Sequence, residues 1–168
     1  MNTKIKCGIG FDAHAFIQNR ALIIGGVEIP FDRGLDGHSD ADVLTHAIID
    51  AFAGPALGKD IGTIFPDTDA FYKNADSLEL LKKTVELIRE NGWEPENIDA
   101  IIIAQIPKMF PYIQSMRANL AAAMGISAEV ISIKATTTEY MGFTGREEGI
   151  AALATALICH PTASCGEH

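Results

Sequence analysis

An aspartate and a histidine separated by one residue, Asp12 and His14, form the first pair of side chains in this sequence that could do chemistry. Residues 5–11 before them alternate as a β-strand does, and side chains two positions apart in a strand project from the same face. A carboxylate and an imidazole presented together supply two of the three protein ligands of a catalytic zinc site. Such a pair also forms ordinary hydrogen bonds at protein surfaces, so the metal hypothesis depends on a third ligand.

The strand that carries this pair is predicted to end at about Phe11, with the two chemical side chains at its end. Its other face presents Ile5, Cys7, Ile9 and Phe11. Because these side chains are large and mostly apolar, we expect that face to pack against a core.

A helix predicted to begin at Ser39 supplies a third ligand, His46. Ser39 precedes Asp42 by three residues, which is a variant of the capping box, and apolar residues then recur at helical spacing. Asp42, His46 and Asp50 lie four residues apart and share one helix face. We therefore expect an acidic neighbour to orient the imidazole of His46. The alternative is a solvated histidine on a polar helix face.

Two polar segments further along the chain indicate a ligand. Residues 58–69 are rich in glycine, proline and aspartate, which predicts a loop whose carboxylates could bind sugar or polyol hydroxyls. Asx turns at a surface bend would use the same residues. Residues 136–139 are three threonines and a glutamate, and Arg146 follows closely. These groups suit a phosphate with a divalent cation, although a threonine-rich sheet edge is an alternative.

Hydrophobic periodicity and turn signals give the elements that must position these groups. They are a hairpin at residues 21–29, helices at 76–91 and 111–124, and strands at 98–106 and 130–135. Residues 148–159 fit a helix or a buried strand equally well. The pattern as a whole predicts an α+β fold.

Composition narrows the class of protein. The 168 residues are 48% hydrophobic and 21% charged, with a net charge of −9, which argues against a nucleic-acid partner. No apolar run is long enough to span a bilayer, and we expect a cytoplasmic protein without a membrane partner. Three cysteines without CxxC spacing argue against a disulfide framework.

Several motifs in a fixed order resemble the 2-C-methyl-D-erythritol 2,4-cyclodiphosphate synthase family. They are residues 10–14, 23–27, 38–43, 65–69, 107–109, 135–139 and 142–146, within a match from about Ile5 to Ile158. Two positions depart from the family pattern, since Ala41 stands where glycine is usual and Tyr140 where lysine is common. Neither position is expected to bind metal.

The resemblance implies a ferredoxin-like α/β sandwich that forms a homotrimer with active sites between subunits. It also implies an enzyme of the non-mevalonate isoprenoid pathway, a phosphorus–oxygen lyase. That enzyme converts 4-diphosphocytidyl-2-C-methyl-D-erythritol 2-phosphate to 2-C-methyl-D-erythritol 2,4-cyclodiphosphate and CMP. We expect one catalytic domain at residues 1–158 and a flexible tail at 159–168.

The resemblance also assigns roles to individual residues. It implies zinc (Zn2+) on Asp12, His14 and His46, and magnesium (Mg2+) or manganese (Mn2+) on Glu139. His38 and Thr137 match the residues that orient and polarise the phosphates. Residues 104–110 resemble the segment that holds the cytidine of the nucleotide. The residues placed against the CDP-linked substrate are Asp12, Ala13, His14, His38, Ser39, Asp60, Ile61, Gly62, Phe65, Pro66, Asp67, Thr68, Asp69, Ala104, Gln105, Ile106, Pro107, Lys108, Met109, Phe110, Thr136, Thr137, Thr138, Glu139, Phe143 and Arg146.

In the family, residues matching Phe143 and Arg146 face a cavity on the threefold axis that accepts an isoprenoid diphosphate. The alternative for Arg146 is a surface ion pair with Glu147 or Glu148. Two other functions compete with the cyclase. A metal-dependent phosphohydrolase of a nucleotide diphosphate would use the same zinc, and a nucleotide-binding protein would carry structural zinc. The second is disfavoured because structural sites commonly have four ligands, many of them cysteines.

Overall fold

The computed structural model describes residues 4–66, 68 and 75–161. The strands are β1 (Lys4–Gln18), β2 (Leu22–Ile24), β3 (Val27–Ile29), β4 (Arg33–Leu35), β5 (Glu94–Ile103), β6 (Ile131–Thr136) and β7 (Gly149–His160). The helices are α1 (Val43–Leu57), α2 (Ile61–Ile64), α3 (Ser77–Glu90), α4 (Ile113–Met124) and α5 (Gly142–Gly145). None of the helices in these described ranges is long and apolar enough to cross a membrane.

Five strands form a mixed sheet in the order β4-β1-β7-β5-β6. The pairs are antiparallel except for β5 with β6, which is parallel. The strands β2 and β3 form the predicted hairpin as a separate two-stranded sheet. Its turn residues Gly25 and Gly26 have φ values of 58° and 66°, a left-handed conformation that glycine adopts without strain.

Two glycines in β1 let α1 lie directly on the sheet. A Cβ at Gly8 would stand 1.9 Å from the carbonyl oxygen of Ala51, and one at Gly10 would stand 2.0 Å from that of Ala47. Any side chain at these positions would push the helix away. Because Gly8 and Gly10 share a strand face with Asp12, this close approach brings α1 and its histidine towards the aspartate.

The other face of β1 is open in the single chain. Ile5, Ile9 and Phe11 are 63%, 67% and 56% exposed, and Cys7 is exposed as well. The prediction that these residues face the chain's own core is wrong, because α1 packs on the glycine face instead. The strand also continues to Gln18, so the aspartate and histidine lie within it and not at its end.

Other local predictions have mixed outcomes. The helix predicted from Ser39 begins at Val43, and its N-cap is Asp42, whose carboxylate accepts the N–H of Thr45. The segment 148–159, which fitted a helix or a buried strand equally well, forms strand β7 from Gly149 onward. This strand lies between β1 and β5 in the sheet and is mostly buried. This strand includes Cys159 and His160. Residues 162–168 lie outside the described residues, so the flexible tail stays a prediction.

Candidate active site

Three side chains from two elements meet at one point. Asp12 and His14 project from β1 and His46 projects from α1, with one ligand atom from each within 4.8 Å of the others. Asp12 Oδ2 lies 2.9 Å from His14 Nε2 and 3.0 Å from His46 Nδ1, and the two nitrogens are 3.3 Å apart. Among the residues that the structure describes, no other set of three such side chains is gathered so closely.

This triad fits a tetrahedral metal ion. Nitrogen and oxygen ligands at about 2.0–2.1 Å from zinc lie roughly 3.3 Å from one another, which is within a few tenths of an ångström of the observed spacings. Three protein ligands without cysteine leave one position for a substrate oxygen, as in catalytic sites. The donor set is therefore compatible with a metal site that keeps one position open.

The charges in the triad favour a cation. Burial by itself raises the pKa of the Asp12 carboxyl, but hydrogen bonds with His14 and His46 outweigh it and hold this pKa well below its usual range. Burial lowers the pKa of His14, whereas its contact with Asp12 raises it more, and the net pKa is above the ordinary value. Asp12 is thus an anion at neutral pH. Its carboxylate lies beside one nitrogen of each histidine, and these three atoms could bind one metal ion together.

The ring nitrogens of His14 and His46 that face away from the triad contact a backbone carbonyl and hydroxyl groups, and not carboxylates. His14 Nδ1 lies 2.6 Å from the carbonyl oxygen of Asp36, to which it donates when its Nε2 is the free ligand atom. His46 Nε2 lies 3.0 Å from the hydroxyl oxygens of both Ser39 and Ser77. Each ring therefore has a partner on the side away from the triad.

The expectation that Asp42 or Asp50 orients His46 is wrong. The carboxylate of Asp42 is fully buried and accepts the N–H groups of Gly25 and Gly26, so it anchors the hairpin to the start of α1. Asp50 accepts the N–H of Ile61. Helical spacing places both carboxylates on the same side of α1 as His46. They bind backbone N–H groups of neighbouring segments instead, because those N–H groups have no other partner in a helix or sheet.

A cleft opens over the triad. Five residues predicted for catalysis or substrate binding line it beside the three residues of the triad: His38, Ser39, Ile61, Gly62 and Phe65. Asp60 caps α2 next to the cleft by accepting the N–H of Thr63 at 2.7 Å. Pro66 and Thr68 are exposed, Ala13 points to the opposite sheet face, and Asp67 and Asp69 lie outside the described residues.

The predicted site residues at and after the end of β6 follow a strand that lies far across the sheet from the triad. Ala13 is paired with Ala151, Ala151 with Ile103, and Ile103 with Thr136, so these four residues form one row across four strands. Three spacings of about 4.8 Å put Thr136 roughly 14 Å from the strand that carries the triad. The threonines, Glu139 and the predicted nucleotide segment therefore do not line the cleft of their own chain.

Hydrogen bonds order the loop after β6. The hydroxyl of Thr137 donates to Glu139 Oε1 at 2.9 Å, and the hydroxyl of Thr138 lies 2.9 Å from that of Thr144. Glu139 and Tyr140 have φ values of 50° and 64°, a left-handed conformation that is uncommon outside glycine. Glu139 is exposed and its carboxylate is presented to solvent.

The segment predicted to hold the nucleotide lies beside that loop. The N–H of Ala104 donates to the carbonyl of Thr136 at 3.0 Å, and Gln105 Oε1 accepts the N–H of Tyr140 at 3.2 Å. Within the segment, Met109 is buried, whereas Phe110 is 83% exposed. The remaining members are half-buried or exposed: Ile106, Pro107 and Lys108.

Phe143 and Arg146 lie in the segment just before Gly149, the first residue of β7. Arg146 Nε donates to Glu148 Oε1 at 2.7 Å, so the ion pair proposed as the alternative exists in the single chain. Phe143 is 41% exposed and borders a shallow cavity with Ala13 and Ala15 on the open sheet face.

Two residues near the triad had no signal in the sequence. Ser77 is buried at the first turn of α3 and reaches His46 only because α3 packs against α1. Arg20 donates to the carbonyl oxygens of Gly37 and Ser39, which flank His38, and so holds that loop at the cleft. Ser77 follows the cap residue Asp76, and nothing in the spacing of Ser77 or Arg20 along the sequence relates either residue to the triad.

Comparison with known proteins agrees with this geometry. The model of the YgbB family matches residues 5–159. The 2-C-methyl-D-erythritol 2,4-cyclodiphosphate synthase of Bacteroides fragilis is 58% identical over 155 residues, which cover 92% of this chain and 98% of that protein. The bifunctional IspDF of Campylobacter jejuni is 44% identical over 95% of this chain, with a TM-score of 0.91, and this chain covers 43% of its length.

A CDP complex of IspF from Plasmodium falciparum is a further structural relative. It is 30% identical, covers 96% of this chain and 100% of the other, and has a TM-score of 0.82. Identity above half over nearly the whole chain, together with the family match, extends across both the triad and the distant loop. This chain belongs to the YgbB family, the family of the 2-C-methyl-D-erythritol 2,4-cyclodiphosphate synthases.

Proposed function

We propose that this protein cyclises 4-diphosphocytidyl-2-C-methyl-D-erythritol 2-phosphate to 2-C-methyl-D-erythritol 2,4-cyclodiphosphate and CMP. The 2-phosphate oxygen of the substrate attacks the β-phosphorus, and the bond from that phosphorus to the oxygen bridging the α-phosphate breaks. CMP leaves with that oxygen, so atoms and charge balance without water. The relatives named for this synthase, at up to 58% identity, support the assignment.

The observation that carries the proposal is the triad at the base of a cleft. The attacking phosphate is already an anion, so the reaction needs positioning and charge neutralisation more than a general base. When bound by Asp12, His14 and His46, zinc supplies a Lewis acid for a phosphate oxygen. Ser, Cys or Thr nucleophiles are not needed for this chemistry.

The remaining roles rest on the family resemblance. His38, whose loop Arg20 holds at the cleft, would donate to a phosphate oxygen. Thr137 would do the same from the loop after β6. Glu139 is a hard, exposed carboxylate of the kind that Mg2+ or Mn2+ prefers.

We further propose that each active site is assembled from two chains of a homotrimer with a ferredoxin-like fold. The roughly 14 Å between the triad's strand and Thr136 supports this, because a single chain does not bring both groups to one substrate. The open apolar sheet face of Ile5, Ile9 and Phe11 also supports it, since exposed patches of this kind mark interfaces.

Three further assignments are proposals on the same basis. An isoprenoid diphosphate would bind on the threefold axis near Phe143 and Arg146. The catalytic domain, predicted at residues 1–158, would extend through Cys159 and His160 at the end of β7, and the tail would follow them. The protein would act in the cytoplasm.

Phosphorus NMR of the products tests the reaction. With the CDP-linked substrate, zinc and Mg2+, we expect CMP together with a cyclic diphosphate, whose two phosphorus signals are coupled to each other. Carrying out the reaction in 18O-labelled water gives the control. A phosphohydrolase of the same substrate would incorporate the label and release an open-chain product, and that result would overturn the cyclase proposal.

A further inference from the structure

We propose that Ser39 and Ser77, with Asp40 behind Ser77, are positioning residues that keep the proton of His46 on Nε2 and turn Nδ1 towards the metal. The inference rests on the metal site under the proposed function, but it concerns residues that neither the family resemblance nor the comparisons relate to the metal. We call Ser39 and Ser77 the hydroxyl pair.

The direction of the hydrogen bonds carries the argument. The hydroxyl of Ser77 donates to Asp40 Oδ1, so its oxygen has only lone pairs to offer to His46 Nε2 at 3.0 Å. Ser39 Oγ lies at the same distance from Nε2 and accepts the N–H of Ala41. The nitrogen that faces the hydroxyl pair is therefore a donor, and its proton has two acceptors.

The other ring nitrogen then has its lone pair for the triad. His46 Nδ1 is 3.0 Å from Asp12 Oδ2 and 3.3 Å from His14 Nε2. An imidazole binds a metal through an unprotonated nitrogen, and a partner on the far nitrogen fixes which tautomer is present. Because His46 and both serines are buried, water does not replace a lost partner easily.

Asp40 connects this arrangement to the start of α3. Its N–H donates to the carbonyl oxygen of Ala75 at 3.1 Å, and its Oδ2 accepts the N–H of Ser77 at 3.0 Å. Three hydrogen bonds thus join the segment before α1 to the first turn of α3. Asp40 both places Ser77 beside the histidine and sets the direction of its hydroxyl.

Zinc affinity measured by competition with a chromophoric chelator tests the hydroxyl pair. Ser39→Ala and Ser77→Ala each leave one acceptor, so we expect each to weaken zinc binding only a few-fold. The double variant should weaken it roughly ten- to hundredfold, which is the usual effect of losing such partners. Ser77→Thr, which keeps a hydroxyl, should restore near wild-type affinity.

Thr84→Val is the matched control, because it removes a buried α3 hydroxyl that bonds only to Leu80 of its own helix. It should leave zinc affinity unchanged. The melting temperature of the metal-free variants separates a loss of fold from a loss of positioning. The visible spectrum of the cobalt(II) form should change in the double variant and not in the control, because it reports the ligand field directly.

Asp40→Asn tests the connection through Ser77. We expect it to weaken zinc binding in the wild-type background and to add little in the Ser77→Ala background. A folded double serine variant with wild-type zinc affinity and cobalt spectrum would overturn the role of the hydroxyl pair alone. Equal losses from Asp40→Asn in both backgrounds would overturn the role of Asp40. A wild-type protein that binds neither zinc nor cobalt would refute the metal site itself.

Discussion

The triad of Asp12, His14 and His46 and the loop after β6 are the two regions to which we assign the chemistry, and they are built in opposite ways. Asp12, His14 and His46 are held from behind by backbone and hydroxyl groups and lie at the base of a cleft. The loop that carries Glu139 is fixed by its own short-range hydrogen bonds, and its functional groups point to solvent. The first region is complete within one chain, whereas the second is exposed and, in the proposed trimer, would meet the triad of another chain.

The difference follows from the sheet. Helix α1 covers one end of the inner face and supplies the third ligand, but β6 is an edge strand whose loop has no such cover. The outer face of β1, beside the triad, is apolar and exposed in the single chain at Ile5, Ile9 and Phe11. The chain thus buries the triad between β1 and α1 and leaves open the surface through which we propose that it meets a second chain.

Removing a ligand from the complete region should have the largest effect. We expect His46→Ala to lose zinc and to reduce turnover on the order of 10³-fold or more, because a bound metal stabilises transition-state charge by several kcal/mol. The trimer should persist. His160→Ala is the control, since that histidine packs on Trp93 at the far end of the sheet. Full zinc occupancy in folded His46→Ala, by metal analysis, would contradict the assignment.

Placing a charge on the open face should separate the two regions. Ile9→Asp puts a carboxylate where an interface needs an apolar residue, and burying it unpaired in three copies costs several kcal/mol each. We expect monomers by sedimentation, retained zinc binding, and activity reduced by about a hundredfold or more. Glu86→Lys, on the exposed face of α3, is the control. An Ile9→Asp trimer with wild-type activity would mean that this face is not the interface.

The second region is probed by Glu139→Gln. The amide keeps the size of the side chain but loses the charge that a hard cation needs. We expect zinc to remain bound, the dependence on Mg2+ or Mn2+ to disappear, and turnover to fall on the order of a hundredfold. The control is Glu129→Gln, which changes an exposed glutamate elsewhere. An unchanged magnesium titration would contradict the role of Glu139.

Mixing two inactive variants tests whether the regions meet across chains. Co-expressed His46→Ala and Glu139→Gln chains should form mixed trimers with about a quarter of wild-type activity, since roughly one interface in four pairs an intact triad with an intact Glu139. If each site lay within one chain, every site would carry one defect. The mixture would then be as inactive as the two parents, which is the result that would refute shared sites.

The smallest expected effect concerns Arg146. If it binds an isoprenoid diphosphate on the axis, Arg146→Ala should reduce the rise in Tm caused by geranyl diphosphate by roughly 2–4 °C, or about 1 kcal/mol for a chain of this size. Glu148→Gln, which releases Arg146 from its ion pair, should increase that rise. Equal shifts for Arg146→Ala and the wild type would leave Arg146 as a surface ion-pair residue.

Patterns of short range in the sequence determined much of this protein. The period of two in a strand put Asp12 and His14 on one face, and helical periodicity placed His46 on a rigid element. Gly25 and Gly26 identified the hairpin. These predictions succeeded because each depends on neighbours within a turn or a strand. The ordered motifs then identified the family, and the ligands of the triad came together as expected.

Only the tertiary structure decided which surfaces and partners those elements meet. Ile9 and Phe11 looked like core residues, but the side chains absent from Gly8 and Gly10 let α1 pack on the other face. Helical spacing offered Asp42 as the partner of His46, yet the hairpin N–H groups bind its carboxylate, and Ser77, 31 residues away, supplies the contact. Periodicity fixes directions along one element, whereas close packing between elements selects partners by shape and by unpaired hydrogen-bonding groups.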